Sequence, residues 1–285
     1  SSAASDVYKR QDLLLLGDLP SGAGLSSSAS LEVLIGFIMR DLYGFDVTNV
    51  DLALIGQQAE HEFCGVNCGI MDQFAVAMGK KDHALLLNTK TLDYEYIPVT
   101  LSGVKLIIAN SNKKHKLGES KYNERREECE TALEEISQAI GIHALCDLDE
   151  KTWNLYQVTV KDDDRKRRVK HAVTENARTK QAAAALKNGE LKTFGELMKA
   201  SHQSLSEDYE VTGDEMDALA EAAWQQDGVL GSRMTGGGFG GSTISLVKEN
   251  FVDEFIQETG RIYTEKTGLS ADFYVVEIGD GPVVQ

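Results

Sequence analysis

Apolar and polar positions along the chain recur with two periods, and the switches between them mark its elements. Leu31, Leu34, Ile35, Ile38 and Leu42 return at three- and four-residue spacing, which predicts a helix with one apolar face, stopped by Gly44. Thr48 with Asp51 has the form of a capping box, so a second helix starts there and runs to about Phe63. A short third helix lies within Gly69–Gly79. The continuous apolar run "DLLLLGD" (Asp12–Asp18) reads as a buried strand, and "HALLLNT" (His83–Thr89) and "SGVKLIIANSN" (Ser102–Asn112) as two more.

In the second half, Tyr122, Cys129, Leu133, Ile136 and Ile140 form one seam of a long charged helix. Two helices follow, roughly 166–188 and 190–207, and another starts at a Thr212/Glu215 capping box and ends before Gly228. "SRMTGGGFGGSTISLV" (Ser232–Val247) is a glycine loop feeding a strand, then come a helix at about 251–266 and a last strand, "FYVVEIG" (Phe273–Gly279). This irregular order of helices and strands predicts α+β domains of two layers rather than a doubly wound sheet. Residues 1–11 are small and polar without periodicity and read as an extension, 12–101 as a first domain and 102–285 as a second.

Charge narrows the partners. The formal net charge is -16, which repels phosphate backbones and argues against nucleic acid. An anionic small ligand would need backbone N–H groups, a metal ion and a few placed cations to hold it. No apolar run reaches membrane-spanning length, and four scattered cysteines (Cys64, Cys68, Cys129, Cys146) read as reduced thiols. The expected compartment is the cytoplasm.

One stretch suits an anion. In "GDLPSGAGLSSSAS" (Gly17–Ser30), Gly22 and Gly24 allow close backbone approach, and Ser26, Ser27 and Ser28 stand where the next helix begins. A helix start presents unpaired N–H groups and the positive end of the dipole, so the loop can cradle phosphates or simply serve as a serine-rich cap. No Gly-Lys-Ser/Thr follows, so it is not a Walker loop. "GGGFGG" (Gly236–Gly241) matches G-x-G-x-x-G but feeds a strand instead of opening a helix, so it reads as a tight turn.

Single residues carry less. Glu60 with a serine hydroxyl could ligate a hard cation, and Asp72, in a first helical turn, would stay ionised and could orient a hydroxyl nucleophile. Either could equally be a solvated helix charge. His61, Cys64 and Cys68 lack zinc spacing and a fourth ligand. "KKHK" (Lys113–Lys116) reads as a solvated basic turn.

Together these stretches resemble the galactokinase branch of the GHMP small-molecule kinases. "GAGLSSSASLEV" is similar to the family's phosphate motif and "CGIMDQF" (Cys68–Phe74) to the segment carrying its catalytic aspartate. "KYNERREECE" (Lys121–Glu130) resembles its sugar-contacting region, and "RMTGGGFGG" (Arg233–Gly241) its third glycine motif.

The resemblance implies two α+β domains with the active site between them and an unusual left-handed crossover near the phosphate loop. It implies ATP-dependent phosphorylation of the C1 hydroxyl of D-galactose. Gly22, Ala23, Gly24, Leu25, Ser26, Ser27 and Ser28 would hold ATP, and Ser28 with Glu60 would ligate Mg²⁺. Asp72 would act on the hydroxyl, Gly69 and Tyr122 would touch the sugar, and Gly236, Gly237 and Gly238 would support the site.

The chain departs from that family in one respect. It lacks a G-R-x-N-x-I-G-E-H-x-D-Y-like opening motif, as though shortened by roughly 100 residues, which implies that 12–101 is the remainder of an incomplete N-terminal domain. Low activity and exposed apolar surface are the expectations that follow. A non-catalytic sugar and ATP sensor, or a kinase for N-acetylgalactosamine or galacturonate, stay open as alternatives.

Overall fold

The chain was described from a computed structural model over residues 12–19, 24–113 and 118–284. Three helices begin it: α1 (Ser27–Tyr43), α2 (Asn49–Ala59) and α3 (Met71–Ala77). Gly44, with φ 66°, ends α1 as expected, because its left-handed backbone lets the N–H turn back to the Arg40 carbonyl. The capping box of α2 is present: the Asp51 N–H donates to Thr48 Oγ1 at 3.1 Å, and the Thr48 N–H to Asp51 Oδ2 at 2.7 Å. The helix continues into a π-helical turn at Glu60–Cys64, and such widened turns are common at functional sites.

A two-stranded antiparallel hairpin follows, β1 (His83–Leu87) and β2 (Tyr94–Pro98). One of its faces joins Val33, Ala53, Ile70, Phe74 and Ala77 in the core of the first half. The other, through Ala84, Leu86 and Ile97, packs on Ala183 and Leu186 of the second half.

The second half is built on an antiparallel sheet of order β4-β5-β3-β6: β3 (Val104–Asn110), β4 (Val229–Thr235), β5 (Ser242–Lys248) and β6 (Asp272–Val276). Its helices are α4 (Gly118–Ser137), α5 (Glu150–Tyr156), α6 (Asp163–Lys187), α7 (Leu191–Glu207), α8 (Asp214–Trp224) and α9 (Val252–Thr267). Strand alternation divides the sheet between two partners. Ile107, Ala109 and Val247 face α8 and α9, where Leu219, Phe255 and Tyr263 are buried. Val104, Leu106, Ile244 and Leu246 face α7, which brings Met198 and Phe194. The sheet is therefore covered on both sides, one layer more than the element order predicts. α7 can approach β4 because Gly195 and Gly231 face one another; a Cβ on Gly195 would lie 2.1 Å from the Leu230 carbonyl oxygen. No described helix is long and apolar enough to cross a membrane.

Four sequence readings change. Residues 12–18 form no strand, and Leu14 and Leu16 are 83% and 85% exposed. A run of leucines can enter a sheet only beside a partner strand, and none of the described strands pairs with it. In α1 the buried residues are Ala29 and Val33, whereas the expected core stripe faces outward, with Leu31 49% and Leu42 48% exposed. The helix instead presents its small side to α2, where Gly36 sits against Leu52. α8 is preceded by Gly213 with no side-chain cap, so the Thr212/Glu215 pattern makes no box; Glu215 pairs with Lys113 instead. Finally, β2, β4 and α5 were not anticipated.

The buried imidazole of His171, on α6, makes stability depend on pH. It bonds Ser204 Oγ at 2.9 Å and stacks on Tyr209, with ring centroids 4.6 Å apart. Burial holds its pKa down at about 4, against 6.5 for a free side chain, with Glu175, Arg178, Asp208 and Arg233 as the surrounding charges. The unfolded chain thus takes up a proton that the folded one refuses. Stability contributed by neutral His171 is complete above pH 6.5 and lost as pH falls towards 4, about 3 kcal/mol in all. Urea midpoints from pH 7 to 4.5 should fall more steeply for the wild type than for His171→Gln; equal slopes would refute the assignment.

Candidate active site

The site forms where the start of α1 meets the β4–β5 turn. Gly24, at φ 67°, and Ser26, at φ 55°, both take left-handed backbone ahead of the first turn of α1. Ser26 occupies the N-cap position, yet its side chain makes no cap hydrogen bond. The first N–H groups of a helix have no partner within it, so an uncapped start leaves them available to an anion. Ser27 and Ser28 are exposed on that first turn, and Leu25 is half-buried behind it. Gly22 and Ala23 lie outside the described residues.

The glycine turn is pinned rather than loose. Gly236, Gly238, Phe239, Gly240 and Gly241 all have positive φ, between 59° and 122°. The Phe239 N–H donates to the Val211 carbonyl at 2.6 Å and the Ser111 N–H to the Gly241 carbonyl at 2.9 Å. Phe239 itself packs with Leu205, Val211, Met216 and Met234. Gly238 has to be glycine, since a Cβ there would stand 2.2 Å from the Val211 oxygen.

This turn brings separate parts of the chain together. A Cβ on Gly236 would lie 3.0 Å from the Gly24 carbonyl oxygen, and one on Gly24 would lie 3.5 Å from Gly241 Cα. Tyr122 packs beside Gly237, where a Cβ would meet its ring at 3.7 Å. Of the other seam residues, Cys129, Leu133 and Ile136 of α4 pack with α6, and Ile140, which falls beyond the end of the helix at Ser137, joins the same core; Tyr122 lies at the other end of the helix, beside the glycine turn.

Carboxyl groups collect on the first-half side. Glu60, 8% exposed, sits in the π-helical turn. Beside it is Glu32, whose Oε2 accepts from Gln73 Nε2 at 3.1 Å. Burial raises the Glu32 pKa, and the hydrogen-bonded Glu60 carboxyl adds to the rise against the lowering effect of Gln73. Gly56 allows this convergence, because a Cβ there would lie 3.0 Å from Gln73 Cγ and 3.1 Å from Glu32 Oε2. Asp72, half-buried in the first turn of α3, makes no hydrogen bond among the described residues. Burial raises the Cys68 thiol, with Glu60, Glu32 and Asp72 all contributing in the same direction. Asp72 and Glu60 therefore bear on one spot, while Gly69 is exposed in the loop between them.

Glu32 was missed in the sequence, although it stands one helical turn after Ser28, on the same face. Cys64, Cys68, Cys129 and Cys146 form no disulfide with one another. Among the described residues no cluster of three or more His, Cys, Asp or Glu side chains forms a metal site on protein ligands alone.

Known proteins resemble this chain over most of its length. The GHMP kinases N terminal domain matches residues 3–80, beginning inside the stretch that composition sets apart, and the GHMP kinases C terminal domain matches 182–261. A galactokinase of Ligilactobacillus salivarius is 51% identical over 98% of this chain and 72% of its own length. One from Bacillus subtilis is 51% identical over 95% and 69%. The crystal structure of Lactococcus lactis galactokinase complexed with galactose superposes with a TM-score of 0.91 at 46% identity, over 93% of this chain and 68% of that one. A relative in fold alone, L. major mevalonate kinase in complex with R-mevalonate, gives a TM-score of 0.57 at 16% identity, over 90% of this chain and 67% of that one. The start of α1, the Asp72 segment and the glycine turn thus lie within a chain that belongs to the galactokinase family of GHMP kinases.

Proposed function

We propose that this chain transfers the γ-phosphoryl group of ATP to the C1 hydroxyl of D-galactose, giving galactose 1-phosphate and ADP. The observation that carries the reading is the contact of Gly24 with the 236–241 turn, with Tyr122 on Gly237. It sets an uncapped helix start and an aromatic ring around one position.

Phosphoryl transfer needs alignment and charge neutralisation more than covalent chemistry. Residues 22–28 offer backbone N–H groups to the phosphates. Glu60 and Ser28 supply hard oxygen donors suited to Mg²⁺, which in nucleotide sites takes one or two protein oxygens and completes its shell with phosphate and water. The fit is supported by Glu32 and Glu60, two adjacent carboxyls whose repulsion a cation would relieve. When bound, Mg²⁺ would neutralise charge on the transferring phosphates. Asp72 aligns the C1 hydroxyl and accepts its proton, and Gly69 and Tyr122 border the sugar. The glycine turn holds Tyr122 and the phosphate loop in place.

The boundary between the two domains falls at 101/102, supported by Gly103, whose positive φ turns the chain into β3. The apolar contact of Ile97 with Ala183 and Leu186 crosses it. A cytoplasmic location is in keeping with a sugar and a nucleotide as substrates.

The test is galactose-dependent ADP release with Mg-ATP. It is run on this chain and on a chimera carrying the amino-terminal region of the Lactococcus lactis relative. We expect release that requires galactose, greater in the chimera. Folded protein that releases none in either form would overturn the reading.

A further inference from the structure

The loop between the π-helical turn and α3 carries Gly69 and leads into Asp72, and its one buried side chain, Ile70, stands at its very end. Gly65, Asn67 and Gly69 are all exposed. Its path is fixed instead through backbone carbonyls. The Cys68 carbonyl accepts from His61 Nε2 at 2.8 Å and from Gln57 Nε2 at 3.1 Å, both projecting from the first half. The Asn67 carbonyl accepts from Arg126 Nη1 at 2.8 Å. Arg126 lies on α4, one helical turn after Tyr122, and so belongs to the second half.

That last bond joins the two sides of the site. α4 presents Tyr122 to the glycine turn, and the loop presents Gly69 and Asp72. Among the described residues no other side chain of α4 bonds this loop. Arg126 Nε also donates to Glu130 at 2.8 Å, an exposed pair one turn along the same helix that by itself contributes little, while Nη1 points across.

We infer that Arg126 is a positioning residue for the sugar site: by clamping the Asn67 carbonyl it fixes the Asp72 loop relative to Tyr122. Its bonds are to the Asn67 carbonyl and to Glu130, neither of them assigned to substrate. The inference deepens the kinase reading given above and rests on it for its catalytic consequence; the clamp itself does not.

The clamp makes a selective prediction. Ground-state misplacement by about 1 Å can cost on the order of 10²-fold in rate. Arg126→Ala should lower kcat/KM for galactose by about 10–100-fold, leave the KM for ATP unchanged and let the amides of 66–70 exchange about tenfold faster. Arg126→Lys, which can still donate to the carbonyl, should recover most of both. Glu130→Ala removes the ion pair and keeps the Asn67 bond, so it should resemble the wild type.

Exchange of 66–70 at the wild-type rate in Arg126→Ala would overturn the inference. So would Glu130→Ala reproducing the loss, since the effect would then come from the helix alone. If the wild-type chain turns over no galactose, the kinase reading is what fails, and amide exchange still decides the clamp.

Discussion

Asp72→Asn is expected to reduce kcat for galactose phosphorylation by about 10²–10⁴-fold, the range typical for removing a positioned acid–base group. The side chain stands in the first turn of α3, half-buried, with no hydrogen bond to the described protein. The fold uses its charge only through the dipole of α3, a small contribution, and asparagine matches its size. What the amide lacks is the ability to accept a proton and to orient a donor hydroxyl by its charge. The urea midpoint should stay that of the wild type, and galactose should still raise the melting temperature, because a ligand of the native state stabilises it. Retention of more than a tenth of the rate would show that Asp72 is a bystander.

The largest stability effect is expected at Arg168. This guanidinium, 1% exposed, spends its donors in three directions: Nε to Glu128 Oε2 at 2.7 Å, Nη1 to the Asp208 carbonyl at 2.8 Å and Nη2 to Glu210 Oε2 at 2.7 Å. Glu128 also holds Arg125 Nη1 at 3.1 Å, and Arg125 Nε donates to the Tyr209 carbonyl at 2.9 Å. α4, α6 and the 208–211 segment are thereby tied together, and Val211 in turn pins the glycine turn. Removing one partner of a buried charged group costs about 3–5 kcal/mol because the others are left unpaired. We expect Arg168→Met to lose that much by urea titration. Arg168→Lys should recover little, since an ammonium cannot reproduce the planar fork. A loss below about 1 kcal/mol for Arg168→Met, the level of an exposed ion pair, would contradict this account.

How much of this could be read from residue order depends on how local each cause is. The stop of α1 at Gly44 and the capping box of α2 are decided within four residues, and both are as expected. The glycine turn was legible as a turn, because five glycines within six positions have few other uses. Its contact with Gly24 depended on tertiary structure across more than 200 residues. Periodicity marked α1 as a helix correctly, but it reports only that a stripe is apolar and not that anything lies on it. "DLLLLGD" failed for the same reason. Glu32 was visible at i+4 from Ser28, whereas the Arg126–Asn67 bond, between residues 59 positions apart, leaves no pattern in the sequence.

The outward-facing stripe has a consequence for the chain in solution. Leu31, Leu34 and Leu42 of α1, Leu54 and Ile55 of α2, and Phe63 at 91% exposure give the surface an apolar region that favours contact between copies. The net charge of -16 acts in the opposite sense, as a long-range repulsion. That repulsion weakens with salt, the screening length falling from roughly 30 Å at 0.01 M to about 8 Å at 0.15 M, while attraction between apolar surfaces does not. Colloidal behaviour should therefore invert the usual rule for acidic proteins. Light scattering should report single particles in dilute buffer and growing assemblies as sodium chloride is added, with leucine-to-glutamate changes at 31 and 42 delaying the onset.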